Sequence, residues 1–235
     1  MIWIAIAVVF ALAWVWAFHR EDRLEREPVW MVGLAFLLGA VAFFPAYVLE
    51  GWLLPNSVDP EDSLAVRALA LFLVVSPVEE LCKFAAVRSW LYAHADFDEP
   101  MDGIVYAVTA ATGFAFAENL HFMQDMPEVI WARGPGATLA HVLFAGFWGG
   151  ALGWSKPMPD RRAARRVVAA GLLAGILVHG LFDLIYFCVD RELPATVARL
   201  ALAALLIASF LALRFQMRRA HAYSPFRTKK DGHRV

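Results

Sequence analysis

Charge is scarce in this chain of 235 residues: 18% are Asp, Glu, Lys or Arg, against 60% hydrophobic. An average soluble domain carries roughly a quarter charged residues, so the chain reads as an integral membrane protein. Cysteine is scarcer still. Cys82 and Cys188 both fall inside apolar runs, which reads as packed thiols and not as a disulfide framework. The net charge of −1 is nearly neutral, and no basic, aromatic-interleaved stretch of the kind that holds nucleic acid is present. Internal repeats, long linkers and a separate soluble domain are missing. So are the His-Glu-x-x-His signature of zinc peptidases and the Gly-x-Ser-x-Gly elbow of serine hydrolases.

What fills the chain instead is a series of apolar runs, near 2–18, 29–50, 68–90, 102–124, 136–154, 166–189 and 195–215. A helix needs roughly 20 residues to cross a hydrocarbon core. The expected fold is therefore an all-α, polytopic membrane helix bundle of about seven transmembrane helices; the first and fifth runs are the shortest, so six stays open. The first run lacks a basic segment before it and is followed by Arg20, Arg23 and Arg26, the pattern of a retained span and not of a cleaved signal peptide. Gly171 and Gly175 stand at the spacing that lets helices approach closely in lipid.

Orientation follows from lysine and arginine. With the N-terminus outside, sixteen of the 21 fall on one side, and only Arg67, Arg133, Arg191 and Arg199 on the other. The positive-inside rule then places the C-terminus in the cytoplasm. The organisation expected is one transmembrane helical domain over 1–217 and a basic cytoplasmic tail over 218–235.

Several polar groups interrupt the apolar runs, and a charge in a bilayer needs a partner, a water cavity or a function. In "SPVEELCKF", Glu79 and Glu80 lie four and three residues before Lys83, so both can meet it on one helix surface. One reading is a self-neutralising ion pair. One lysine cannot neutralise two carboxylates, however, and the remaining one is suited to acid–base work. Pro77, just before the pair, would kink the helix and widen a cavity. "GFAFAENLHF" adds Glu118, Asn119 and His121, the last read as an interfacial residue. His141 stands in the fifth run, and His179 with Asp183 one turn on in the sixth, where the carboxylate can orient the imidazole. Asn119 and Tyr186 are candidate donors to the same cavity. With Arg67 as the outer anchor, a rise of about 1.5 Å per residue puts Glu79 near the midplane and the others farther out, scattered over about 10 Å.

Taken in order, Glu-Glu-x-x-Lys (Glu79, Glu80, Lys83), Phe-x-x-x-Glu-Asn (Phe114, Glu118, Asn119), His141 on the next run and His-x-x-x-Asp (His179, Asp183) resemble the PrsW family. These are intramembrane proteases related to the CAAX prenyl protease and bacteriocin-processing superfamily. The resemblance spans about residues 79–183. It implies a glutamic, metal-independent peptidase without a cofactor, in a bacterial cytoplasmic membrane. The implied partners are the lipid bilayer and a single-span membrane protein substrate such as an anti-sigma factor. Carried over, Glu79 and Glu80 are the catalytic pair, His141 and His179 bind and polarise water, and Lys83, Glu118, Asn119 and Asp183 support them. The chain departs from the prenyl-protease branch, which has histidine where Glu118 stands and asparagine where Asp183 stands.

Two other readings use the same residues. A metal-dependent membrane enzyme would take its ligands from Glu79, Glu80, Glu118, His121, His141, His179 and Asp183. A proton-coupled transporter would use them as a relay.

Overall fold

A computed structural model describes residues 1–54, 62–189 and 191–227, and among these it is helical throughout, with no strand. Residues 228–235, the last part of the expected basic tail, lie outside the described residues. The elements are α1 (Ile2–Glu21), α2 (Val29–Leu53), α3 (Leu64–Ala70), α4 (Ser76–Trp90), α5 (Pro100–Phe122), α6 (Ile130–Ala132), α7 (Thr138–Ser155), α8 (Arg161–Phe187) and α9 (Ala195–Ala222). α9 continues past residue 217 to Ala222, its last turn tied to α1 by His221 Nε2 at 2.9 Å from the Glu21 carbonyl oxygen, with an ion pair of Arg214 and Glu21 at 2.7 Å two turns earlier.

All seven apolar runs are helical. Among the described residues, five helical stretches are long and apolar enough to cross a membrane: Ile2–Glu21, Val29–Leu53, Pro127–Ser155, Arg161–Phe187 and Ala195–Ala222. The other two, α3 with α4 and α5, carry the charges of the Glu79–Lys83 stretch or are rich in Ala, Gly and Thr. The packing explains this composition. α5 is the central helix, buried from Pro100 to Ala115 and surrounded by α1, α2, α4, α7 and α9. A helix that meets only other helices gains from small residues that allow close approach, and needs no bulky face toward lipid. At Gly103 a Cβ would overlap the carbonyl oxygen of Gly149, so α5 and α7 meet backbone to backbone. At Gly171 a Cβ would come within 2.8 Å of the Phe147 oxygen, which seats α8 against α7. The outer surface, by contrast, exposes large apolar side chains such as Leu37, Val41, Phe44, Leu200, Ile207 and Phe215. Apolar exposure on this scale marks a surface that faces something other than water.

Two π-turns interrupt the helices among the described residues. Leu71–Val75 joins α3 to α4, and Arg133–Ala137 joins α6 to α7. The first ends at Ser76–Pro77, where proline supplies no N–H, and the Ser76 hydroxyl donates to the Leu71 carbonyl at 2.7 Å. The distortion expected at Pro77 therefore takes the form of a π-turn. Both cysteines are free thiols. Arg67, read from the sequence as an outer anchor, is buried. It donates to the Phe187 carbonyl at 2.8 Å and forms an ion pair with Glu192, because α3 packs on the end of α8.

Candidate active site

Four helices deliver the polar residues to one place. α4 carries Glu79, Glu80 and Lys83, α5 carries Glu118 and Asn119, α7 carries His141, and α8 carries His179 and Asp183. The residues that counting scatters in depth meet within hydrogen-bonding distance of one another, Lys83 with His141 and Glu80 with His179.

Lys83 is the hub. It is fully buried, and its three donors meet Glu79 Oε2 at 3.1 Å, Glu80 Oε1 at 2.8 Å and His141 Nδ1 at 2.9 Å. Its ammonium also lies 4.3 Å from the centre of the Phe114 ring. The two glutamates then diverge. Glu80 is fully buried and its oxygens are committed: Oε1 to Lys83 and to His179 Nδ1 at 3.0 Å, Oε2 to the Trp148 indole N–H at 2.8 Å. Glu79 keeps one oxygen outside the hydrogen bond to Lys83 and lines a cavity of about 180 Å³. Its Oε2 lies 3.6 Å from His141 Nδ1 and 3.8 Å from His179 Nε2.

The imidazoles are oriented by carboxylates on their far sides. His141 Nε2 lies 2.9 Å from Glu118 Oε2, itself 2.6 Å from an Arg133 nitrogen. His179 is held between Glu80 at Nδ1 and Asp183 at Nε2, the latter 3.3 Å away. With Lys83 donating to Nδ1 and Glu118 accepting at Nε2, the network assigns the His141 proton to Nε2, whereas His179 meets a carboxylate acceptor at each nitrogen. His141 Nδ1 and His179 Nε2 both lie within 4 Å of Glu79 Oε2. Asn119 acts at one remove, accepting from Arg133 Nε at 2.9 Å and donating to the Thr138 hydroxyl at 3.2 Å.

Three participants escaped the sequence reading. Arg133 enters the charge count as one of the four outer-side basic residues, yet at the start of a π-turn it forms an ion pair with Glu118. Trp148 reads as an apolar span residue, and only its indole N–H marks it. Glu50, the one acid in the run 29–50, lines the cavity together with Glu79, Glu118 and His121. His121, read as interfacial, borders the cavity against the Tyr47 ring at 4.8 Å. Tyr186 is a correction: it is 63% exposed and supplies nothing to the site. It lies two turns beyond His179, at the end of α8, where no neighbour covers that face.

The donor set also bears on a metal. Glu79, His141 and His179 each offer a ligand atom, all within 4.8 Å of one another. One carboxylate and two imidazoles, each imidazole fixed by a carboxylate at its other nitrogen, fit a catalytic zinc-type site with an open position. Lys83 shares two of those atoms, Glu79 Oε2 and His141 Nδ1, so an ion bound there would displace its hydrogen bonds.

Membrane-length apolar helices closed around a buried carboxylate–imidazole cluster define an integral membrane protein with ionisable groups in its interior. The family model described as "PrsW family intramembrane metalloprotease" matches residues 27–213, and the chain belongs to that family. Protease PrsW of Geobacillus kaustophilus is 31% identical over 175 residues, 74% of this chain and 75% of the relative. Protease PrsW of Bacillus subtilis is 30% identical over 169 residues, 72% and 75% of the two chains. No solved structure matches. The chain is thus a membrane protease by family.

Proposed function

We propose that the chain hydrolyses a peptide bond in a single-span membrane protein, of the anti-sigma factor class that the motif resemblance implies, with a water activated by Glu79. The observation that carries this reading is the contrast between the two glutamates. Both oxygens of Glu80 are consumed by Lys83, His179 and Trp148, whereas Glu79 borders the cavity and faces both imidazoles. Glu79 takes a proton from water, and the resulting hydroxide adds to the peptide carbonyl. An imidazole stabilises the oxyanion, and the proton passes to the leaving amine as the C–N bond breaks. Glu80, Glu118 and Asp183 hold the imidazoles, and Lys83 balances the charge of the two glutamates.

A second reading is favoured by the Glu79, His141 and His179 donor set and by the family description. An ion held by those three residues would supply an acidified water and a Lewis acid for the carbonyl.

The proposed topology is seven spans, with the N-terminus outside and the C-terminus in the cytoplasm of a bacterial cell. Replacing Glu79 with Gln, or His179 with Ala, is expected to abolish cleavage of a co-expressed single-span protein at unchanged enzyme levels. Full cleavage by both variants overturns the reading.

A further inference from the structure

Glu50 is a half-buried acid without an assigned task. It reaches the cavity from α2, while Glu79 reaches it from α4 and Glu118 from α5. The other two are occupied, Glu79 by Lys83 and Glu118 by Arg133 and His141. Glu50 Oε1 is shielded from solvent and has no hydrogen-bond partner among the described residues. Such an orphaned oxygen in a native interior calls for an explanation. No histidine or lysine among the described residues is hydrogen-bonded to that oxygen, which sets it apart from the proposed water-activating network.

The substrate supplies the missing partner. A transmembrane helix satisfies every backbone N–H internally, and hydrolysis needs a locally extended chain at the scissile bond. Unwinding therefore frees N–H groups that have no water to receive them. A cavity that accepts an unwound segment must offer acceptors in its wall. The cavity of about 180 Å³ far exceeds the roughly 10–15 Å³ that one water requires. Its rim residues Tyr47 and Phe122 are 51% and 44% exposed, so it borders the outer surface between α2 and α5. Glu50 lies one turn beyond Tyr47 on the same helix.

We propose that Glu50 is a substrate-binding residue, its carboxyl accepting a main-chain N–H from the unwound substrate beside the scissile bond. This rests on the peptidase reading and adds a substrate contact to it. Binding comes from α2, chemistry from α4, α7 and α8.

The test uses the full chain reconstituted in phosphatidylethanolamine and phosphatidylglycerol vesicles. The probe is a synthetic single-span Leu/Ala peptide with a central Gly-Ala-Gly, labelled for energy transfer. Affinity is measured in the Glu79→Gln background, which holds the peptide without turnover. Glu50→Leu is expected to weaken binding at least tenfold, and Glu50→Gln, which keeps a carbonyl acceptor, less than threefold. N-methylation of the peptide at successive central positions should weaken binding to the Glu79→Gln parent at one position and have no effect there in Glu50→Leu. A merely structural role for Glu50 would not produce that cancellation. Equal binding by the parent and Glu50→Leu, or equal damage from Leu and Gln, overturns the proposal. Turnover with Glu79 intact separates the two claims. Cleavage lost in Glu79→Gln but unchanged in KM and kcat by Glu50→Leu overturns only the Glu50 assignment. Cleavage that survives Glu79→Gln overturns the peptidase mechanism, while the binding series still decides the role of Glu50.

Discussion

Glu80 Oε1 lies 3.0 Å from His179 Nδ1, and this contact turns the opposite ring nitrogen toward Glu79. A carboxylate thereby fixes the orientation of an imidazole that faces a second carboxylate. Adjacent residues of the same type have different surroundings, because consecutive positions on a helix point about 100° apart.

Truncating the two glutamates should separate stability from activity. Glu80→Ala leaves Lys83 short of a partner and frees His179 and Trp148, and breaking a buried ion pair from one side costs about 3–5 kcal/mol. A marked fall in thermal stability in detergent is expected. Glu79→Gln should remain near the parent in stability and lose peptide cleavage.

Lys83→Met leaves Glu79 and Glu80 facing each other without their shared cation, and its stability should fall by a similar amount. Adding Glu80→Gln removes one of the stranded charges. The double variant should therefore be more stable than Lys83→Met alone, a non-additivity that a double-mutant cycle of melting temperatures reads directly.

Arg133 acts on His141 through Glu118. Arg133→Ala and Glu118→Gln should each reduce kcat about 10–100-fold, the usual cost of removing a group that orients an active imidazole. The two effects should not add, since both act through one ring. Additive losses in kcat would show two separate roles.

At the α1–α2 turn, outside the spans, burial with Glu99 and Asp102 nearby pushes Asp22 up to about 8. Burial likewise pushes Glu27 up to about 7, against hydrogen bonding from Asp102 and Tyr106. The folded chain thus holds protons that an unfolded chain releases near pH 4. Stability contributed by these groups is fully present below that pH and is lost as pH rises through about 7 to 8. Melting temperatures measured from pH 5 to 9 should fall with pH, and Asp22→Asn should flatten the slope.

Chelation distinguishes the two chemistries open to Glu79. The glutamate reading expects cleavage to persist after treatment with a chelator and dialysis. Cleavage that is lost and then restored by zinc would replace it with the ion-assisted reading, and metal content should then disappear in His179→Ala.

Much of the site was legible because helical periodicity is local. The spacings Glu79 to Lys83, Glu80 to Lys83 and His179 to Asp183 all recur as contacts. What was not legible involves residues whose roles depend on a neighbouring helix: Glu50 across from α4, Arg133 folded back by a π-turn, and Trp148 known only by the acid it meets.

From the sequence alone came the all-helical, apolar character, the positions of the helices and the identities of the polar groups that lipid would not tolerate unpartnered. Those follow from composition and period, which each segment carries by itself. The tertiary structure alone decided which glutamate faces the cavity, which residues orient the histidines, that Arg67 is buried and that Tyr186 faces outward. These depend on how faces of separate helices are set against one another. The π-turns before α4 and α7, and the glycine contacts between α5, α7 and α8, govern that arrangement, and no single helix encodes it.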